Sequence, residues 1–150
     1  YVSEPAPARA ALAARLGADR VFNPREEDVM AELLRLTDGI GPDVVLDAAG
    51  APPTLQLALE TVRQRGRVVV VSLCMEPSPV ITVDWVGREV ELKAAYGSTP
   101  RDWQVSFDLL RRSLVDAEAT VTDIVALADI QATFQSLLRP TEQAQAVVAF

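Results

Sequence analysis

The sequence predicts an α/β protein built on a parallel, doubly wound sheet, and three observations predict it. Apolar runs of strand length alternate with helical periodicity through the first hundred residues. Two of those runs, Asp43 to Gly50 and Arg67 to Leu73, are continuous rather than alternating, the pattern of strands covered on both faces. Turn formers sit at the joins: Gly17, Asn23-Pro24, Gly39 to Pro42, and Gly66.

Each element follows in order. Tyr1-Val2-Ser3 reads as the end of a strand, because Pro5 and Pro7 cannot donate to a continuing ladder. Ala8 to Leu16 fits a helix with alanines and Leu16 set against Arg9 and Arg15, and Gly17 supplies its stop. Val21-Phe22 is a very short strand ended by Asn23-Pro24. Asp28 to Thr37 carries Val29, Leu33, Leu34 and Leu36 at helical spacing, with Glu26, Glu27 and Asp28 favouring the positive end of the dipole. The run Asp43 to Gly50 is the next strand, Pro53 to Val62 a helix, and Arg67 to Leu73 a further strand. Met75 to Pro79 is a loop, and Val80 to Val83 and Glu89 to Tyr96 read as strand-like. After Pro100 the alternation changes to a helix over Arg101 to Leu114, a strand over Thr120 to Val125, a helix over Ala128 to Leu138 and a last apolar run, Ala146 to Phe150. The expected division is therefore residues 1–100 as a nucleotide-binding sheet and residues 101–150 as a C-terminal segment forming a separate layer or the edge of a neighbouring domain.

Composition narrows the chemistry. With 150 residues and 49% hydrophobic side chains the chain is about one domain with a core to bury. A formal charge of −7 repels a phosphate backbone and argues against a nucleic-acid partner. No His is present and Cys74 is the single Cys, so a zinc site, a Ser-His-Asp triad or a Cys-His pair cannot be completed from these residues. The aliphatic run Val68 to Val71 is far short of the ~20 residues needed to span a bilayer, which excludes a membrane span of that kind. One unpaired Cys suits a reducing compartment, and cytoplasmic is the expected location.

In sheets of this class ligands bind beyond the carboxyl ends of the strands. Glu4 lies at such an end, just before a helix, where dinucleotide-binding folds place an acid on the adenosine ribose hydroxyls. A carboxylate there accepts hydroxyl protons and repels a 2'-phosphate, favouring NAD over NADP. Arg9, a helical turn on, is placed to lie over the adenine or bond the same ribose. Against this stands a plainer reading, in which Glu4 only opens a helix and Arg9 sits on a solvated face. Asp47-Ala48-Ala49-Gly50 and Ser72-Leu73 put small residues or backbone at two further strand ends, suited to close ligand approach or to tight helix packing. Asp47 is either a strand-end residue bonding nearby backbone or a ligand contact, and the first is preferred. The Gly-x-Gly at Gly39 and Gly41 is spurious, since Val44 stands at the third glycine position and a strand follows. No glycine-rich phosphate turn precedes Glu4, as expected for a chain read from partway through its nucleotide fold. Cys74 is expected to be an inert thiol, and Trp85, Trp103, Phe107 and Phe134 core or interface anchors. Arg111-Arg112 reads as a solvated face.

Several stretches together carry a family resemblance: Val2-Ser3-Glu4-Pro5, Leu16-Gly17-Ala18-Asp19, Leu36-Thr37-Asp38-Gly39-Ile40-Gly41-Pro42-Asp43 running into Val44-Val45-Leu46-Asp47-Ala48-Ala49-Gly50, and Gly66-Arg67-Val68-Val69-Val70-Val71-Ser72. In this order they resemble the medium-chain, zinc-type alcohol dehydrogenases, nearest to the polyol, butanediol and threonine dehydrogenase branches. The resemblance runs over essentially the whole chain and is specific for the superfamily rather than for a substrate. It implies a Rossmann-like fold lacking its first strand and glycine-rich turn, followed by a segment that returns to a catalytic domain absent from these residues. It implies hydride transfer between a secondary alcohol or ketone and NAD, NADP being the less favoured cofactor, with zinc held by ligands outside this chain. No catalytic residue falls within the sequence, and the 150 residues alone are expected to be inactive. By the same resemblance Glu4 is the ribose acid and Arg9 its basic support; Ala49 and Gly50 line the cofactor cleft; Ser72, Leu73, Ala95 and Gly97 border the nicotinamide. Gln145 stands nearest to where many relatives carry a basic residue for the pyrophosphate. The edge strand Val90 to Tyr96 is expected to pair with a second copy in a homodimer or homotetramer. Two other classes remain: a zinc-free, NADPH-dependent quinone or enone reductase, against which Glu4 argues, and a non-catalytic nucleotide-binding module.

Overall fold

A computed structural model describes residues 1–138 and 143–150. In chain order the elements are β1 (Val2–Ser3), α1 (Pro7–Arg15), β2 (Val21–Phe22), α2 (Val29–Leu36), β3 (Val44–Asp47), α3 (Pro52–Thr61), β4 (Arg67–Val70), α4 (Thr82–Val86), β5 (Glu91–Ala94), α5 (Pro100–Arg111), β6 (Val121–Ala126), α6 (Ile130–Leu137) and β7 (Gln145–Ala149). All the strand pairs among them are parallel, as the α/β expectation requires. The strands are divided among three sheets, β1-β2, β3-β4-β5 and β6-β7, rather than joined in one, because no strand among the described residues pairs with both β1 and β3. The chain forms two compact units, Tyr1–Glu27 with Ser98–Phe150, and Asp28–Gly97.

The second unit is built on the three-stranded sheet. Its register aligns Val45, Val68 and Leu92 on one face and Val44, Arg67 and Glu91 on the other. Asp28 opens α2 by accepting the Ala31 N–H at 3.0 Å, the acid-before-helix arrangement read from the sequence. Against the first face packs α3, so that Ala58, Leu59, Val62, Val68 and Val90 form the core with Val45, Leu55, Val70, Val80 and Trp85 around them. Val44 and Leu46, on the opposite face, are exposed. The expectation that this strand is buried on both sides is corrected here. An unbroken apolar run shows that neither face is charged; it does not supply a second covering layer, and within this unit α3 covers only one face.

Two other expectations change. Val80 to Val83 is not a strand, since Thr82–Val86 is helical. The Ile81 N–H is taken by the Gln56 side-chain oxygen at 3.0 Å, and Trp85 turns onto the core, so tertiary packing overrides β-branched propensity. The strand beginning at Arg67 ends at Val70, short of Leu73: the Val71 N–H makes a last ladder bond to the Asp47 carbonyl at 3.0 Å, and the Ser72 N–H turns back to the same oxygen at 3.2 Å.

In the first unit Val2 pairs with Val21 and Ser3 with Phe22, and the Glu4 N–H extends the ladder to the Phe22 carbonyl at 3.0 Å. Phe22 is fully buried, with Tyr1 edge-on to it at 6.3 Å. Thr99 and Asp102 form a reciprocal capping box at the start of α5. Trp103, Phe107 and Phe134 are exposed rather than buried, Trp103 and Phe107 lying against each other at 6.0 Å. Residues 139–142 of the C-terminal segment lie outside the described residues.

Candidate functional site

At the end of β1 the chain turns through Pro5 and Ala6 into α1, and this places Glu4 against its own helix start. The Glu4 carboxylate accepts three bonds: the Ala6 N–H on Oε1 at 2.7 Å, Arg9 Nη2 on Oε1 at 2.9 Å and Arg9 Nε on Oε2 at 3.0 Å. The two side chains are 21% and 32% exposed, so the pair sits at a wet margin rather than in the core. Burial would raise the Glu4 pKa, but the Arg9 and Ala6 hydrogen bonds and the charges of Arg9 and Arg25 outweigh it and hold the carboxyl below its ordinary value. Arg9 is shifted up, chiefly by its hydrogen bond to Glu4. Carboxylate oxygens together offer about four lone-pair sites. Three are taken, and Oε2 keeps one for a hydroxyl donor. Arg9 therefore braces the acid in this structure instead of lying free on a solvated face.

The other predicted residues gather in the second unit. Ala49 and Gly50 follow β3, Ser72 and Leu73 follow β4, and Ala95 and Gly97 follow β5, so all six occupy the carboxyl ends of three adjacent parallel strands. The Ala95 N–H reaches the Val70 carbonyl at 2.9 Å, carrying the β4–β5 ladder one residue further. Gly50 has φ +66°, and a Cβ there would lie 3.0 Å from the Leu73 carbonyl oxygen and 3.3 Å from the Ser72 Cβ. The first two strand ends thus touch through backbone, which requires glycine. Leu73 and Tyr96 are exposed at the same end. Glu4 and Arg9 belong to one unit and these six residues to the other.

Asp47 bonds nearby backbone, as preferred from the sequence: its Oδ1 accepts the Ala49 N–H at 3.2 Å. Its second partner, the Thr54 hydroxyl at 3.0 Å, was not foreseen, although the i, i+7 spacing across a strand–helix turn is the available signal. Cys74 places its Sγ 3.4 Å from the Glu76 carbonyl, and Arg111 and Arg112 both pair with Asp108 on an exposed face. Gln145 opens β7, its Oε1 3.3 Å from the Thr120 hydroxyl. For a zinc ion the residues do not fit, because no three His, Cys, Asp or Glu side chains converge as ligands among the described residues.

Parallel strands, each followed by a helix or loop that leaves small residues and backbone at the carboxyl ends, define an α/β class of the doubly wound kind. Residues 1–112 match the family model described as zinc-binding dehydrogenase, and the chain belongs to that family. It is 49% identical over 113 residues, 73% of its length, to the L-threonine 3-dehydrogenase of Pyrococcus horikoshii. It is 29% identical over 135 residues, 89% of its length, to the D-arabitol-phosphate dehydrogenase of Enterococcus avium. Those matches span 31% and 38% of the two relatives. The crystal structure of 2R,3R-butanediol dehydrogenase from Bacillus subtilis superposes with a TM-score of 0.87 at 27% identity, covering 99% of this chain and 42% of that one.

Proposed function

We propose that this chain is the nicotinamide-cofactor-binding part of a zinc-type, NAD-dependent alcohol or polyol dehydrogenase. The observation that carries the reading is Glu4: a carboxylate held at a strand's carboxyl end by Arg9 and Ala6, with an acceptor site left on Oε2. That site suits one ribose hydroxyl as it stands. Binding both hydroxyls requires one of the three existing bonds to lengthen. Ala49, Gly50, Ser72, Leu73, Ala95 and Gly97 offer backbone and small side chains to the nicotinamide half.

In this reading the bound cofactor supplies the hydride chemistry between a secondary alcohol or ketone and NAD, and the chain's residues bind and orient it. Zinc and its ligands belong to a catalytic domain outside these residues, to which residues 101–150 return, while residues 1–100 form the cofactor domain. The exposed Trp103, Phe107 and Phe134 are then surface for that domain, and the 150 residues alone are inactive. The protein is placed in the cytoplasm. No helix among the described residues is long and apolar enough to cross a membrane. A second copy pairs along β5, an edge strand of its sheet with all four residues exposed, in a homodimer or homotetramer.

The test is Glu4→Ala in the enzyme that carries this chain. Loss of a charge-assisted bond weakens NAD by about 1.5 to 3 kcal/mol and narrows discrimination against NADP. An unchanged Michaelis constant for NAD with an unchanged cofactor ratio leaves Glu4 only its helix-start role. Preferential use of NADP by the wild type would move the assignment to the zinc-free reductase branch.

A further inference from the structure

We infer that Asp47 is a positioning residue of the cofactor cleft, acting with Thr54 through the backbone of the turn Ala48 to Gly50; the inference rests on the cofactor reading of those strand ends. Asp47 is 7% exposed. A carboxylate taken from water is costly unless it is hydrogen-bonded, so its partners show what it is kept for. Its Oδ1 accepts the Ala49 N–H at 3.2 Å and lies 3.0 Å from the Thr54 hydroxyl, while its main-chain oxygen accepts Val71 N–H at 3.0 Å and Ser72 N–H at 3.2 Å. One residue therefore ties together the turn after β3, the first turn of α3 and the point where β4 leaves its ladder.

Besides Thr54, the helix start is held by Ser78, whose Oγ donates to the Pro52 carbonyl at 2.6 Å and ties it to the loop between β4 and α4 rather than to the end of β3. Ala51 occupies the N-cap position without a capping side chain, and prolines fill the first two helical positions. Prolines remove two N–H groups that would otherwise seek a cap, but they hold nothing in place. The Asp47–Thr54 contact is what fixes this helix entry to the strand end. Thr54 also lies 2.8 Å from the Ala51 carbonyl, so its hydroxyl sits between the helix start and the buried acid. Gly50 closes the arrangement. With the position of its missing Cβ 3.0 Å from the Leu73 carbonyl, it rests directly on the next strand end, and a shift of the turn displaces Leu73 or opens the gap. Asp47 thus reaches the cleft through Ala49 and Gly50 on one side and through Ser72 on the other.

The role needs an acceptor at Oδ1 rather than a charge, which separates it from an electrostatic contact. The experiment measures NADH dissociation constants by fluorescence, steady-state constants for NAD, and melting temperature, in the enzyme carrying this chain, for wild type, Asp47→Asn, Asp47→Ala and Thr54→Val. Expected for Asp47→Ala and Thr54→Val is an NADH dissociation constant raised about tenfold, the size of one lost hydrogen bond, with the Michaelis constant for NAD following it. The expected kcat stays within about twofold, since the reacting atoms are not touched. Asp47→Asn, which keeps the acceptor, is expected to restore wild-type affinity. Thr54→Val is nearly isosteric and keeps the test open if Asp47→Ala does not fold. Wild-type NADH affinity in Thr54→Val, or an Asp47→Asn variant as weak as Asp47→Ala, overturns the inference while leaving the cofactor reading intact. A wild-type enzyme that binds no nicotinamide dinucleotide overturns the cofactor reading, and this inference with it.

Discussion

Arg88 gives the sharpest stability prediction in the second unit. Val62 N–H makes the closing bond of α3 to the Ala58 carbonyl, while the next N–H, that of Arg63, turns away to the Pro42 carbonyl. The Leu59 carbonyl therefore receives no N–H from four residues on, and α3 has no basic residue in its last turn. Arg88 supplies what is missing. Its Nη1 donates to the carbonyls of Glu60 at 3.1 Å and Val62 at 2.7 Å, its Nη2 to that of Leu59, and its Nε to the main-chain carbonyl of Asp84 at 3.1 Å. Leu59 and Val62 are fully buried, so Arg88→Met leaves carbonyls that water reaches poorly. A hydrogen bond from a charged donor contributes about 1.5 to 3 kcal/mol, and a cation at a helix C-terminus about 0.3 to 1 kcal/mol. These contributions overlap within one network, and desolvation of the guanidinium offsets part of them, so the expected loss is about 2 to 4 kcal/mol. Arg88→Lys keeps the charge but not the fork and is expected to lose about half as much. Urea unfolding followed by circular dichroism and by the fluorescence of Trp85, which packs on the same core, measures both. An Arg88→Met variant within about 0.5 kcal/mol of wild type refutes the capping argument.

Three further outcomes are expected. Gly50→Ala forces a side chain into positive φ and against the Leu73 carbonyl, destabilising by about 1 to 3 kcal/mol and weakening NADH in a fluorescence titration. Leu92→Pro removes a backbone donor from the exposed edge strand and shifts sedimentation equilibrium towards monomer, whereas a folded variant of wild-type mass places the interface elsewhere. For Glu4, whose folded pKa is depressed, the stability of its pair with Arg9 is present above the ordinary carboxyl value of 4.5 and lost as pH falls through the lower folded value. Acid titrations of wild type and Glu4→Gln should accordingly converge below that range and run parallel near neutrality.

Much of this was legible because it is local. The helix Val29–Leu36 follows from its apolar spacing and the preceding acid, and the parallel strands from their unbroken valine and leucine runs. What escaped is long-range. Whether Val80 to Val83 forms a strand depends on Gln56 and on the core that receives Trp85, both distant in sequence. Exposure of Leu46 depends on which layers cover the sheet, which an apolar run does not encode. At the candidate site the pairing of Arg9 with Glu4 was legible through the family resemblance, five residues apart across a strand–helix turn, while Thr54 and Arg88 drew no notice because their partners arrive through tertiary folding.

The central claim, that Glu4 is the acid that receives the ribose of NAD, is tested most directly by titrating the protein that carries this chain with NADH and, separately, NADPH, following nicotinamide fluorescence. A braced carboxylate that accepts a ribose hydroxyl and repels a 2'-phosphate predicts saturable NADH binding at least about tenfold tighter than NADPH, a difference of about 1.4 kcal/mol. Equal or tighter binding of NADPH, or no saturable binding of NADH, would contradict it.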